Sequence, residues 1–295
     1  MTPPSPSAPT VVVSEAEVLD WAQRLLGPIA DTTDIGRGGT SQRILEIHTR
    51  SDERAVVKMV SDGSSFHRTV EALSNYSPAL GAFAPRLIDA HEGLRSILMT
   101  HVPGVVAEGT DHAWDAVVHF RAGVLLRQLH ESGPATQSAH LAGEWAAALE
   151  RAVRIAEPFV DFDTLREAAA WGMRVLDCDS LVLSPTHRAN TPVHWLVHPQ
   201  RGVHLVGFSH LEYDPWVVDT VYLERDYWRY SPDLRQAFFS GYERAESDED
   251  LVLRKVWLLT DALSAWAEVN QNRSTHAAKK LARERLDWLC GHTLF

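Results

Sequence analysis

The chain has 295 residues, 45% of them hydrophobic, which is enough for one large core or for two lobes that share an interface. A net charge of -11 at pH 7 argues against nucleic acid as the main partner, because binding phosphates needs a basic surface. No apolar run reaches the length of about eighteen residues that a membrane span needs, and two cysteines, Cys178 and Cys290, are too few for a disulfide framework.

The chain begins with MTPPSPSAPT, a stretch rich in proline and serine. It has neither the basic nor the apolar part of a secretion signal, so residues 1–12 are expected to form a disordered tail. With few cysteines and no signal, the expected compartment is the cytoplasm, and no membrane partner is expected.

The next part of the chain is predicted to be rich in strands. Ser14 and Glu17 form a capping box, which starts a short amphipathic helix that ends at Gly27–Pro28. Alternating and β-branched residues then predict strands over 43–47, 55–60 and 96–101, with a helix over 66–76. Pro103–Gly104 interrupts the pattern, so residues 13–102 are expected to form a small lobe with a sheet of about five strands.

Residues 103–295 have mainly helical periodicity. Helices are predicted over 114–131, 141–156, 162–176, 233–245, 251–269 and 275–290. A β-hairpin, with strands over 195–197 and 203–208, interrupts them at a turn over 199–202. The expected fold class is therefore α+β, with a small β-rich lobe followed by a larger helical lobe.

Several motifs follow one another in a recognisable order. A glycine-rich loop contains Gly36, Gly38, Gly39 and Ser41, and Lys58 follows it in an apolar strand. Further matching segments are Pro85–Asp89, Ile97–Gly104, Leu125–His130 and Asp214–Asp219. From about residue 30 to 245 the chain resembles the aminoglycoside phosphotransferase and choline kinase-like family, which implies a bilobal protein-kinase-like fold.

The resemblance implies that Gly36, Gly38, Gly39, Ser41 and Lys58 form a nucleotide site. The alternative for the lysine is a charged residue that protects an edge strand. In the family, the catalytic base, the metal-binding asparagine and the second metal-binding aspartate stand at positions that are Ala189, His194 and Gly207 here. The helix glutamate that pairs with the lysine is replaced by Thr69, and Glu71 lies about 200° around the helix.

These replacements remove the groups that phosphoryl transfer needs, which are a carboxylate near the hydroxyl and oxygen ligands for magnesium. No metal site is therefore expected, and the only cofactor with residual support is ATP, bound weakly and without magnesium dependence. A further hypothesis is that one of the nearest polar residues, Asn190, Glu212, Asp214 or Asp219, takes over the role of the missing groups. A transition-metal site made of His187, His194, His198, His204 and His210 is another hypothesis, which strand alternation disfavours.

Three functions remain open. The first is a pseudoenzyme that binds a peptide, a small molecule or an active partner enzyme in a biosynthetic or modification pathway. The second is a cleft with new acid–base chemistry on a bound peptide, such as cyclisation, in which His187 or His194 is the catalytic base. The third is a residual ATP-dependent phosphotransferase that acts on a hydroxyl.

Overall fold

The computed structural model describes residues 14–36, 42–178, 180–272 and 274–291. The predicted tail over 1–12 lies outside them, as do Gly38, Gly39 and Ser41 of the glycine-rich loop. The chain forms two compact units. The first comprises Met1–Gly104 and His204–Leu211, and the second comprises Val105–Val203 and Glu212–Phe295.

The first unit is built on a five-stranded antiparallel sheet, as predicted. Its elements are α1 (Glu15–Leu26), β1 (Ile29–Asp34), β2 (Gln42–Thr49), β3 (Arg54–Val60), α2 (Gly63–Glu71), β4 (Leu87–His91) and β5 (Ser96–Thr100). The strand order is β1-β2-β3-β5-β4, and every neighbouring pair is antiparallel. Helix α2 continues as a π-helical turn over Ala72–Tyr76 and a 3-10 segment over Ser77–Phe83.

Helix α1 covers one face of this sheet. The predicted capping box is confirmed, because the hydroxyl of Ser14 accepts the backbone N–H of Glu17 and the Glu17 carboxylate accepts the backbone N–H of Ser14. Val18 and Trp21 then pack against alternate residues of β2, β3 and β5. The buried sheet residues of this cluster are Ile47, Ala55, Val57 and Leu98. Because side chains alternate along a strand, Lys58 of β3 points to the face opposite α1.

The second unit is mainly helical. Its elements are β6 (Val105–Val106), α3 (Ala116–His130), β7 (Thr136–Ser138), α4 (Leu141–Ala156), α5 (Phe162–Leu176), β8 (Leu181–Thr186), β9 (Trp195–His198), the first half of β10 (Gly202–Leu205), β11 (Glu212–Asp214), α6 (Val221–Leu223), α7 (Pro232–Tyr242), α8 (Asp248–Gln271) and α9 (His276–Gly291). Strand β8 pairs with β7 and β11, while β6 pairs with β9. No helix among the described residues is long and apolar enough to cross a membrane.

Two glycines let α3 and α7 approach each other closely. A side chain on Gly123 would meet the backbone carbonyl oxygen of Phe238, and one on Gly241 would meet that of Phe120. Backbone atoms cannot move aside as a flexible side chain can, so these contacts require glycine. The close approach of the two helices brings His130, at the end of α3, against Tyr242 at the end of α7.

Candidate functional site

Lys58 is a buried cation in the first unit. On β3 it pairs in register with Ile44 of β2 and Ile97 of β5, and it is 6% exposed. Among the described residues its ammonium group has no hydrogen-bond or ion-pair partner. Burial alone lowers its pKa to about 8. The structure therefore places at the predicted phosphate-binding position a desolvated lysine whose charge no carboxylate balances.

Helix α2 does not supply that carboxylate. Thr69 is buried, and its hydroxyl donates to the backbone carbonyl of Ser65 at 2.7 Å. Glu71 is exposed on the same helix, as its position around the helix predicts. The lysine–glutamate pair that the family resemblance implies is therefore missing in this unit.

Gly36 is the one glycine of the predicted nucleotide loop that the structure describes. Its backbone N–H donates to the carboxylate of Asp34 at 2.9 Å, which closes a turn at the end of β1. A side chain on Gly36 would lie 3.1 Å from the same carboxylate and 3.3 Å from the backbone nitrogen of Ile44. The turn is thus tight enough to favour glycine for structural reasons alone.

The segment after β10 does not continue as the strand predicted over 203–208. Strand β10 ends at Leu205, Gly207 takes the left-handed conformation (φ 89°, ψ 42°), and Phe208–His210 forms a 3-10 turn. Arg68 of α2 donates through Nε to the carbonyl of Ser209 at 3.1 Å. Gly207, which the resemblance assigns to the second metal-binding position, therefore offers backbone and no side-chain ligand.

In the second unit, Asp219 holds the loop that contains the family's base position. Its carboxylate accepts the backbone N–H of His187 at 2.7 Å and that of Arg188 at 2.5 Å. It also pairs with Nε2 of His130 at 2.9 Å, and Nδ1 of His130 lies 2.7 Å from the hydroxyl of Tyr242. Both carboxylate oxygens of Asp219 are engaged, so this residue is structural and cannot take the place of the missing base.

Asn190 follows the base position and is also fully engaged. It is 1% exposed, its amide nitrogen donates to the carbonyl of Asp219 at 3.1 Å, and its amide oxygen accepts the indole N–H of Trp195 at 2.8 Å. Burial and these two bonds tie Asn190 to the fold, which argues against the hypothesis that it takes over from the missing base.

The rings of His187 and His194 lie next to each other, which the sequence alone did not decide. Their ring centroids lie 5.3 Å apart at an angle of 56°, and His187 is fully buried. Nδ1 of His194 donates to the carbonyl oxygen of Ala189 at 2.7 Å. A carbonyl can only accept, so Nδ1 carries the hydrogen, and Nε2 is the basic nitrogen of the neutral ring.

Arg188 forms ion pairs that connect the loop over 187–194 to β11. Nε of Arg188 lies 3.1 Å from the carboxylate of Asp214, and its Nη1 pairs with Glu212. Burial raises the pKa of Asp214 to about 6, Arg188 opposes this rise, and Asp219 and Glu212 add to it. Two of the three carboxylates that the rescue hypothesis named, Glu212 and Asp214, are therefore paired with an arginine.

The other histidines of the predicted set lie in separate surroundings. Nδ1 of His198 accepts the backbone N–H groups of Gln200 and Arg201 and so stabilises the hairpin turn. His204 is buried with its ring 5.7 Å from that of Phe83, whereas His210 is exposed. In the part of the chain that the structure describes, no three His, Cys, Asp or Glu side chains are grouped so that they could hold a metal ion.

The residues at the implied magnesium positions do not fit that ion. Ala189 and Gly207 provide no side-chain oxygen, and His194 provides nitrogen where magnesium prefers oxygen. The nearby carboxylates of Asp214 and Glu212 are tied to Arg188. No step of a reaction can therefore be assigned to a metal held by these residues.

Arg188 is a residue whose role the sequence did not reveal. Its backbone has φ 59°, a left-handed conformation that costs about 1 kcal/mol for a residue with a side chain. The family motif, H-G-D, has glycine at this position, which was the available signal. The ion pairs of Arg188 with Glu212 and Asp214, together with the Asp219 bond to its backbone, offset this strain.

Comparison with known proteins agrees with the fold described above. The GDP complex of wild-type aminoglycoside 2'-phosphotransferase-IIIa has 13% sequence identity and a TM-score of 0.68, covering 94% of this chain and 97% of that one. For macrolide 2'-phosphotransferase MphH from Brachybacterium faecium the identity is 17% and the TM-score 0.61, covering 92% and 98%. For choline kinase LicA from Streptococcus pneumoniae the identity is 12% and the TM-score 0.62, covering 94% of this chain and 98% of that one.

At these identities the structures show a shared fold. They confirm the predicted α+β, bilobal protein-kinase-like class, with its β-rich and mainly helical parts. No curated protein sequence matches the chain. The model of the phosphotransferase enzyme family, APH, matches residues 31–253, which is more than half of the chain. The chain therefore belongs to the phosphotransferase enzyme family.

Proposed function

We propose that this chain is a pseudoenzyme: it binds a peptide, a small molecule or a partner enzyme in a biosynthetic or modification pathway and does not transfer phosphate. The observation that carries the proposal is the pair formed by Ala189 and His194. The base position has no acceptor side chain, and its carbonyl oxygen receives Nδ1–H of the residue at the metal position. A phosphotransferase needs an oxygen-rich, anionic site there.

The first unit supports the same proposal. Without the helix carboxylate, Lys58 is held desolvated and unbalanced, which is a poor arrangement for a lysine that has to be charged. Losing a catalytic base typically costs about 10²–10⁴-fold in rate. The loss of metal ligands adds to this, although such effects are not additive.

Nucleotide titration tests the binding part of this proposal. ATP and GTP are titrated by calorimetry with magnesium and again with EDTA; GTP is included because one structural neighbour is a GDP complex. We expect weak binding or none, with affinities that differ less than threefold between the two conditions. Binding at least tenfold tighter with magnesium, about 1.4 kcal/mol, would show that a metal site survives.

A second candidate is acid–base chemistry in a repurposed cleft, and the tautomer of His194 favours it. Because Nδ1 donates to Ala189, Nε2 is the basic nitrogen of the neutral His194 ring. His194→Gln and His194→Phe would be introduced into the native host in place of the wild-type gene. A changed peptide or metabolite mass profile in both variants would support catalysis, and an unchanged profile in both would support binding alone.

A further inference from the structure

A concave surface lies in the helical unit, and none of its lining residues belongs to the loop over 187–194. It is formed by the turn over Glu224–Trp228, helix α7 and the end of α9. We call it the Arg229 groove. Its volume is about 930 Å³, which is ample for a small organic molecule. The lining residues that matter here are Trp228, Arg229, Arg235, Phe239, Glu246 and Trp288.

Most charges around the Arg229 groove already have partners. Arg235 pairs with Glu224 at 3.4 Å and also with Glu246. Glu246 also pairs with the fully buried Arg254, and Glu243 pairs with Arg127. These carboxylates are therefore neutralised by protein groups and do not call for a cationic ligand.

Arg229 differs from its neighbours. Among the described residues no carboxylate lies within ion-pair distance of its guanidinium group. The group stacks 4.4 Å from the ring centroid of Tyr230 and 5.5 Å from that of Trp288, and it donates to the Tyr230 hydroxyl. Its Nε is buried and makes no hydrogen bond. Arg235 also has a buried Nε without a hydrogen bond, so what sets Arg229 apart is that none of the described carboxylates pairs with its charge.

We propose that the Arg229 groove binds a small organic monocarboxylate with a flat, apolar body. The carboxylate pairs with the guanidinium of Arg229, whose planar donors match it, and the body lies against Phe239 and Trp288. Four carboxylates line the groove (Glu224, Asp233, Glu243 and Glu246) against three guanidinium groups (Arg229, Arg235 and Arg244), so a polyanion is disfavoured. This site is independent of the function proposed above.

The test uses benzoate as the probe, with benzamide as its neutral isostere and pyrophosphate as the polyanion. Binding to the full chain is followed by NMR, through the tryptophan indole and arginine Nε–H signals. We expect benzoate to bind at least tenfold more tightly than benzamide and to shift the signals of Arg229 and Trp288, whereas pyrophosphate leaves them in place. Arg229→Gln should remove the preference for benzoate, and Arg229→Lys should keep part of it because the charge remains.

The matched control is Arg154→Gln, an exposed arginine on α4 with one carboxylate partner, which should bind benzoate as the wild type does. Thermal melting of each variant shows whether it is folded, and Arg229→Lys serves if Arg229→Gln does not fold. Equal binding of benzoate and benzamide would overturn the proposal, as would pyrophosphate binding at Arg229. The proposal would also be overturned if benzoate caused no NMR shift up to tens of millimolar. It would be overturned as well if Arg229→Gln still bound benzoate more tightly than benzamide.

Discussion

His194 and Ala189, the residues at the family's metal and base positions, are hydrogen-bonded to each other. Nδ1 of the imidazole donates to the backbone carbonyl oxygen at 2.7 Å. This bond fixes the orientation of the ring against the loop that Asp219 clamps. The loop over 187–194 is therefore held by hydrogen bonds from within its own unit.

Asp219→Asn should destabilise the protein by about 2–4 kcal/mol, because the new amide places a donor against the N–H groups of His187 and Arg188 and ends a buried charge-assisted network. Urea unfolding measures the change. The matched control is Asp163→Asn, whose side chain is 81% exposed and should change stability by at most about 0.5 kcal/mol. Equal effects of the two variants would show that Asp219 does not hold the loop.

Asp214 should make stability depend on pH. Its folded pKa of about 6 lies above the unfolded value of about 3.9, so the folded state binds this proton more tightly. The contribution to stability is present below about pH 4 and is lost as the pH rises through 6. Relative to Asp214→Asn, the wild type should lose about 2–3 kcal/mol between pH 4 and pH 7.

Urea unfolding of both proteins across this range gives that difference. A difference that stays constant from pH 4 to 7 would show that the pKa of Asp214 is not shifted by folding, and one that grows with pH in favour of the wild type would show that the pKa is lowered.

Lys58→Met should stabilise the protein. The folded pKa of about 8 lies below the unfolded value of about 10.4, so at pH 7 the charged lysine opposes folding by about 3 kcal/mol, and wild-type stability should rise between pH 8 and 10. We expect a gain of about 2–3 kcal/mol at pH 7. Lys280→Met, at a side chain that is 69% exposed, is the control and should be nearly neutral. Loss of stability in Lys58→Met would mean that the ammonium has a partner in solution.

Restoring a metal site should require all three family positions. Ala189→Asp alone adds a buried carboxylate without magnesium ligands, so it should not make nucleotide binding depend on magnesium. Ala189→Asp, His194→Asn and Gly207→Asp together restore the residues that the family has at these three positions, and the left-handed backbone of Gly207 accepts aspartate better than most residues. Calorimetry with magnesium and with EDTA should show at least tenfold dependence in the triple variant only. The same dependence in the single variant would contradict this account.

The sequence predicts the long, periodic elements well, and the reason is local. The capping box of α1 and the helices α3, α4 and α5 follow from side chains that are neighbours in the chain. Strands β6, β7 and β11 have two or three residues each, which is too short for a period to be visible. Strand β1 was not predicted either, because IADTTD is mostly polar and exposed at the edge of the sheet.

For the candidate site, the sequence gives the identities of the residues but not their partners. The motif predicts that Ala189, His194 and Gly207 stand at the family's base and metal positions. Their surroundings depend on tertiary hydrogen bonds, which the sequence does not show. The indole of Trp195 donates to Asn190. Asp219 accepts the backbone N–H groups of His187 and Arg188, about thirty residues earlier in the chain. For the left-handed backbone of Arg188, the one signal is the glycine that the family motif has at this position, because arginine itself does not favour this conformation.

The most direct test of the central claim is release of ADP by the wild-type protein. Magnesium, ATP and a panel of hydroxyl acceptors, including aminoglycosides, a macrolide and choline, are supplied in a coupled assay. The account predicts a rate at least about 10²–10⁴-fold below the 1–100 per second typical of kinases, and equal rates with and without acceptor. Release near one ADP per second that depends on an acceptor would contradict it.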